Sequence, residues 1–194
     1  MNARTPILAL AAAALLAGCG YQAIPRADNA VTAAWAEVEN QYQRRADLVP
    51  NLVATVKGAA AHEKDTLEAV VAARAKATSI QLTANDLTPE NLKRFEAAQG
   101  ELRSALGRLL AVAESYPQLR ANENFRDLQA QLEGTENRIT IARRRYIEAV
   151  NAFNDLVTVP PSSWTNSLVY KKQPKAQFQA TTPEAQKAPK VEFK

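Results

Sequence analysis

Apolar residues recur at alternating steps of three and four through the middle of the chain. The longest run is Phe125, Leu128, Leu132, Thr135, Ile139, Ala142, Tyr146, Ala149, Phe153 and Leu156. This 3.5-residue repeat is the seam of a helix in a left-handed bundle. Ile141 and Val150 lie beside the seam and widen it into a core-facing stripe. At about 1.5 Å per residue the helix is roughly 48 Å long. It cannot bury its stripe alone, so other long helices must lie against it.

A first stripe supplies one of them: Val31, Trp35, Val38, Tyr42, Arg45, Val49, Leu52 and Val56, preceded by Asp28 or Asn29 as helix cap. Its phase runs unbroken through Pro50 and on through Ala60, Glu63, Leu67, Val70, Arg74 and Ala77. Proline inside a helix removes a hydrogen bond and clashes with the carbonyl four residues back. Two readings follow. The helix kinks near Ala46 and continues to about Thr78, which the unbroken phase favours, or Asp47 caps a new helix whose first turn holds Pro50. Residues 79–87 read as a polar connector. Thr88-Pro89-Glu90 then combines an N-cap, a proline at the first helical position and an acid in the first turn. The stripe it opens is Leu92, Phe95, Gln99, Leu102, Leu106, Leu109, Ala113 and Tyr116, ending at Pro117. A short link with Asn122 or Asn124 as cap leads to the seam helix, and short links imply antiparallel neighbours. The expected fold is all-α, an antiparallel up-and-down bundle over residues 28–160. It has three long rods, or four helices if the chain breaks near Pro50.

Composition changes the picture at both ends. After Pro160-Pro161 the chain is rich in lysine, glutamine and proline, with six lysines against two glutamates after Trp164. Residues 161–194 therefore read as a basic, disordered tail, from which the stretch Trp164–Tyr170 can fold back onto the bundle. At the start, Arg4 precedes an apolar run over Ile7–Ala17, too short to span a bilayer comfortably. It ends in Leu16-Ala17-Gly18-Cys19 and holds the sole cysteine of the chain. This resembles a bacterial lipobox. On that reading residues 1–18 are a lipoprotein signal peptide, Cys19 becomes diacylated and N-acylated with chains such as palmitate, and residues 19–27 form a tether. Two or more acyl chains anchor stably where one would be marginal. Gly20 stands where an aspartate tends to retain a lipoprotein at the inner membrane. That favours the outer membrane, facing the periplasm, in a double-membraned host.

Charge and chemistry exclude more than they suggest. The net charge of +4 is weak and mixed along the middle, which argues against a nucleic-acid surface. One cysteine and one histidine rule out an intrachain disulfide and a multi-histidine metal site. His62-Glu63 lacks the second histidine of a zinc-protease helix, since position 66 is Thr66. No nucleophile elbow, P-loop or dinucleotide fingerprint occurs, and no cofactor is expected. What remains is a set of polar residues at or beside seam positions: Arg45, Asp47, Glu63, Arg74, Gln99, Glu114, Glu136, Asn137, Arg143, Asn151 and Asn154. They fix helix register through interhelical pairs, or they line a polar groove that binds a ligand or partner. Gly134, mid-helix and off the seam, either permits close approach of another backbone or serves no packing purpose.

The segment from Gln41 to Val53, containing Arg44-Arg45-Ala-Asp47-Leu48-Val49-Pro50-Asn51-Leu52, is followed by Val56-Lys57-Gly58 and His62-Glu63. With Leu110–Pro117, Leu132–Ile139, Ala142-Arg143, Tyr146 and Phe153-Asn154, it resembles the LemA family over residues 31–161. The resemblance implies an antiparallel helical bundle on a membrane-associated protein with no settled biochemical activity. The chain departs from the family in its lipoprotein-like start, in Tyr146-Ile147 where the family has Tyr-Asn, and in Trp164-Thr-Asn-Ser-Leu168 where the family has a glycine-aromatic region. The expected function is a non-enzymatic envelope lipoprotein, a helical scaffold whose polar surface and basic tail bind envelope proteins. The alternative is an accessory ligand-binding module for cell-wall turnover or envelope proteolysis, its lysine-rich tail touching anionic wall polymer or lipid headgroups.

Overall fold

The computed structural model describes residues 21–178, so Cys19, the signal peptide and the last part of the tail lie outside the described residues. Four long helices form an antiparallel bundle. They are α1 (Ala23–Ala59), α2 (Lys64–Ser79), α3 (Pro89–Ala113) and α5 (Glu123–Thr158), with the short α4 (Pro117–Arg120) between the last two. A short α6 (Ser162–Thr165) and a π-helical turn (Asn166–Tyr170) follow. Helix α1 packs along α5, and α2 lies between α1 and α3.

The first stripe is buried as its phase requires, from Val31 to Val56. The continuation through Pro50 that the unbroken phase favours is present, but its extension to Thr78 and the alternative cap at Asp47 are not. Helix α1 passes through Pro50 and ends at Ala59, and Asp47 is an exposed residue in mid-helix. The chain turns at residues 60–63 instead, which makes the bundle four-helical. Helix α1 also starts earlier than Asp28. Pro25 is tolerated because the first helical turn has no intrahelical acceptors for its N–H groups, and Ile24 is fully buried. The tether therefore gives way to helix at Ala23. Thr88 and Asn122 cap α3 and α5, accepting from the Asn91 and Phe125 amides.

On α5 the seam holds from Phe125 to Tyr146 and then drifts. Val150 is buried as the widened stripe requires and Val157 is buried too, while Ala149 and Leu156 are only half-buried and Ile141 is exposed. A straight helix advances 3.6 residues per turn, so a strict 3.5 repeat slips unless the helix supercoils.

The expected tail boundary at Pro161 also fails. Residues 162–178 pack back over the bundle, and the strap of residues 171–178 ends with Phe178 buried. Phe178 stacks beside Trp35 at 6.1 Å and edges onto Tyr146 at 5.2 Å. Asn154 holds the strap by accepting from the Lys175 amide at 2.8 Å and donating to its carbonyl at 3.0 Å. Asn151 accepts from Gln177. Aromatic stacking and paired backbone groups offset the strap's ordering entropy, which its polar composition concealed. Residues 179–194 lie outside the described residues. The 80–88 connector is likewise more than polar: Leu82 and Leu87 are buried, and the Leu82 carbonyl accepts from the Trp35 indole at 2.8 Å.

Candidate functional site: a polar layer and its groove

The core is two apolar clusters. One joins Ile24–Tyr42 of α1 to Phe95, Ile139–Val157 and Phe178. The other joins Val49–Val56 to α2, Leu102–Ala113 and Phe125–Leu132. Between them lies a polar layer. Arg45, only 2% exposed, donates from Nη1 to Glu136 Oε1 at 2.7 Å. Its Nη2 donates to Gln99 Oε1 at 2.7 Å and to the Gln99 carbonyl at 3.0 Å. Gln99 Nε2 in turn donates to the Ala77 carbonyl at 3.3 Å. The chain of bonds runs from α5 through α1 and α3 to α2, tying all four long helices at one height. A buried guanidinium costs several kcal/mol unless paired, so this layer penalises any slip of one helix against another. Its Nε alone lacks an acceptor.

Beside this layer a groove of about 440 Å³ opens between α1, α3 and α5. Arg143 crosses it, its Nη2 2.6 Å from Glu96 Oε1 and its Nη1 3.4 Å from the Tyr42 hydroxyl. The Arg143 guanidinium also lies 4.2 Å from the centre of the Phe178 ring, so the groove and the strap share a residue. Burial pushes the Glu96 carboxyl above the ordinary glutamate value, and the charge and hydrogen bond of Arg143 only partly oppose it. Arg103 and Arg144 line the same groove, and Arg144 is loosely tied to Glu148 at 3.6 Å.

The polar residues singled out in the sequence separate into groups. Arg45, Glu136 and Arg143 come together at the groove. Arg74 stands nearby but spends its Nε on the Ala46 carbonyl at 2.8 Å. Glu63, at the α1–α2 turn, accepts from the Tyr116 hydroxyl at 2.8 Å. Asn151 and Asn154 hold the strap. Asp47 and Asn137 are exposed on the surface, and Glu114 lines a different depression with Arg120 and Arg126. Glu96 and Phe178 were missed. Glu96 flanks the stripe beside Phe95, a position from which a long side chain reaches a neighbouring helix, and that was the available signal. Gly134 faces open space, so close approach is not its role. Among the described residues, no group of acids, histidines or cysteines is arranged to hold a metal, and no helix is long and apolar enough to cross a membrane.

Long helices pinned by one buried polar layer, with a return strap over one end, define an all-α bundle in the described region. The chain belongs to the LemA family, whose model matches residues 34–193 and so takes in the strap. It is also similar to the magnetosome proteins MamQ 2 and MamQ 1 of Paramagnetospirillum magneticum, at 33% identity over 69 residues in each case. That match covers 36% of this chain and a quarter (25%) of either relative's length.

Proposed function

We propose that this LemA-family chain is a lipid-anchored envelope scaffold. In this reading Cys19 carries the acyl chains, the bundle stands at the membrane as a rigid body, and its surface receives envelope proteins. In a double-membraned host it sits at the outer membrane facing the periplasm. The observation that carries the scaffold role is the polar layer: Arg45 bonds Glu136 and Gln99 and so ties three helices at one height. A catalytic centre instead keeps a reactive group free to meet substrate. Metabolic labelling with a clickable fatty acid tests the anchor. Wild-type chain takes up label and fractionates with membranes, and Cys19→Ser does neither; equal behaviour of the two overturns it. Intrinsic hydrolase activity in the purified chain, lost on changing Glu63 or Glu136, overturns the scaffold reading.

The groove favours a second reading, an accessory ligand-binding module for cell-wall turnover or envelope proteolysis. Its floor charges are paired, but Arg103 and Arg144 at its edge leave it with a positive excess. Saturable binding of anionic wall fragments, lost in the Arg103→Ala and Arg144→Ala double variant, discriminates this reading from a bare scaffold.

A further inference from the structure

The turn that follows α5 has its polarity inside out. Ser162, Thr165 and Asn166 are buried, whereas Trp164 is 60% exposed, Leu168 80% and Val169 54%. Its backbone is held in that inversion. Asn166 donates to the Val157 and Lys172 carbonyls at 3.3 Å and 2.9 Å, and accepts from the Lys172 amide at 2.9 Å. Water gains nothing from such an arrangement, because large apolar side chains are left wet while polar ones are withdrawn. The exposed large apolar residues are not scattered over the bundle. Tyr21, Val159, Trp164, Leu168 and Val169 belong to this end, and only Val71 and Ile141 lie elsewhere among the described residues.

This is the end at which the chain enters the bundle. The Tyr170 hydroxyl donates to the Tyr21 carbonyl, and the two rings lie 6.0 Å apart. Tyr21 follows Cys19 by two residues, a reach of at most about 7 Å of extended chain. Arg26, Lys171 and Lys172 add positive charge around the patch; Lys172 is partly spent on Asp28 at 3.0 Å.

We propose that Trp164, Leu168 and Val169 form a lipid-interface contact that seats this end of the bundle in the headgroup region of an anionic bilayer. The proposal rests on the lipid-anchor reading for its geometry, but the patch has its own chemistry. An indole prefers the membrane–water boundary, aliphatic neighbours enter the acyl edge, and lysine and arginine meet anionic headgroups. Acyl chains alone hold a protein near the membrane in any orientation. A second, rigid contact fixes the angle at which the long helices leave the surface.

The chain has two tryptophans, and Trp35 is buried at 1% exposure, so Trp164 reports separately. Full-length chain is placed with vesicles of phosphatidylethanolamine and phosphatidylglycerol whose acyl chains carry bromine close to the headgroup. Trp164 fluorescence falls in brominated vesicles and loses its accessibility to aqueous iodide. Trp164→Phe removes the bromine-sensitive signal, and the Leu168→Asp, Val169→Asp double variant abolishes quenching while helical circular dichroism is retained. Fatty-acid labelling of the same samples separates the two readings. Chain that is lipidated and floats with vesicles, yet keeps Trp164 open to iodide, overturns the contact and leaves the anchor. Unlabelled chain that still shows Trp164 quenching overturns the anchor and leaves the contact. Shielding of Trp164 that follows protein concentration instead of lipid assigns the patch to a second copy and overturns the proposal.

Discussion

Arg74 repairs the hydrogen bond that Pro50 removes. Proline has no N–H to give the carbonyl four residues back, which here is that of Ala46, and Arg74 Nε donates to it from α2 at 2.8 Å. Ala46 is buried, so without this donor its carbonyl would be orphaned. Arg74→Ala should cost about 1–3 kcal/mol, the penalty for a buried unsatisfied group. In a Pro50→Ala background, where the backbone supplies its own donor, the same change should cost under about 1 kcal/mol. Urea denaturation of the four proteins measures this coupling; equal costs in both backgrounds would refute the repair.

The polar layer predicts asymmetric mutational effects. Arg45→Ala strips Glu136 and Gln99 of their common partner, and should destabilise by about 3–5 kcal/mol, as broken buried pairs do. Glu136, 35% exposed at its side chain, is partly served by water, so Glu136→Ala should cost less. Replacing Arg45 and Glu136 together by methionine should recover most of the loss, since apolar isosteres often match a buried ion pair. A double variant as unstable as Arg45→Ala alone would show that the layer contributes more than a satisfied charge.

Truncation after Pro161, which composition alone suggested would leave the bundle intact, should instead lower the melting midpoint. Phe178→Ala should reproduce much of that loss, at about 3 kcal/mol for a buried aromatic. The strap also carries Lys172 and Lys175, both paired with Asp28. Burial alone would raise the Asp28 carboxyl, but hydrogen bonds and charge from Lys175 and Lys172 outweigh it and hold it below the ordinary aspartate value. A depressed carboxylate stabilises the fold at pH above that ordinary value and loses its contribution as acid protonates it. Strap protection, read by hydrogen exchange at residues 171–178, should therefore fall on acidification below about pH 4. Asp28→Asn should remove that step.

Burial pushes the Tyr146 hydroxyl up to about 12, while it donates to the Ala176 carbonyl at 2.9 Å. Here the neutral form is the favoured one. The contribution is complete below about pH 10, where the unfolded phenol titrates, and disappears as pH rises toward 12. In an ultraviolet titration Tyr146 should contribute a late step that coincides with loss of helicity, and Tyr146→Phe should delete that component. A titration curve left unchanged by Tyr146→Phe would contradict its burial.

Gly134→Ala should stabilise by up to about 1 kcal/mol, because the added methyl meets nothing within 4 Å and the helix is better served by alanine. A loss in thermal midpoint would mean that α5 needs its glycine.

How much of this was legible depended on whether the deciding force was periodic. The stripe from Val31 to Val56 and the caps at Thr88 and Asn122 follow local rules and were readable. The break at residues 60–63 was not: Ala60-Ala61-His62-Glu63 contains no breaker, and the stripe keeps its phase across the turn. Pro50, the obvious breaker, is rescued from another helix by Arg74. Phe178 was hidden for a related reason. Its surroundings are polar, and its seat exists only once Trp35 and Tyr146 have been brought together. Arg45 was recognisable as a polar intrusion on a seam, but its tie to Glu136 and Gln99 required the relative heights of three helices.

The Phe178 seat has a consequence for the order of events in a cell. A chain is made from its amino terminus, so Trp35 and Tyr146 emerge before the residue that closes over them. Tyr170 and Tyr21, whose hydrogen bond joins positions 149 residues apart, impose the same delay. Until the strap arrives, Trp35 and Tyr146 lack the ring that packs against both, and the first core cluster is incomplete. The last described residues therefore complete a cluster that the earlier helices only begin. Residues 171–178 are thus the last of the described segments to join a cluster that begins at Trp35.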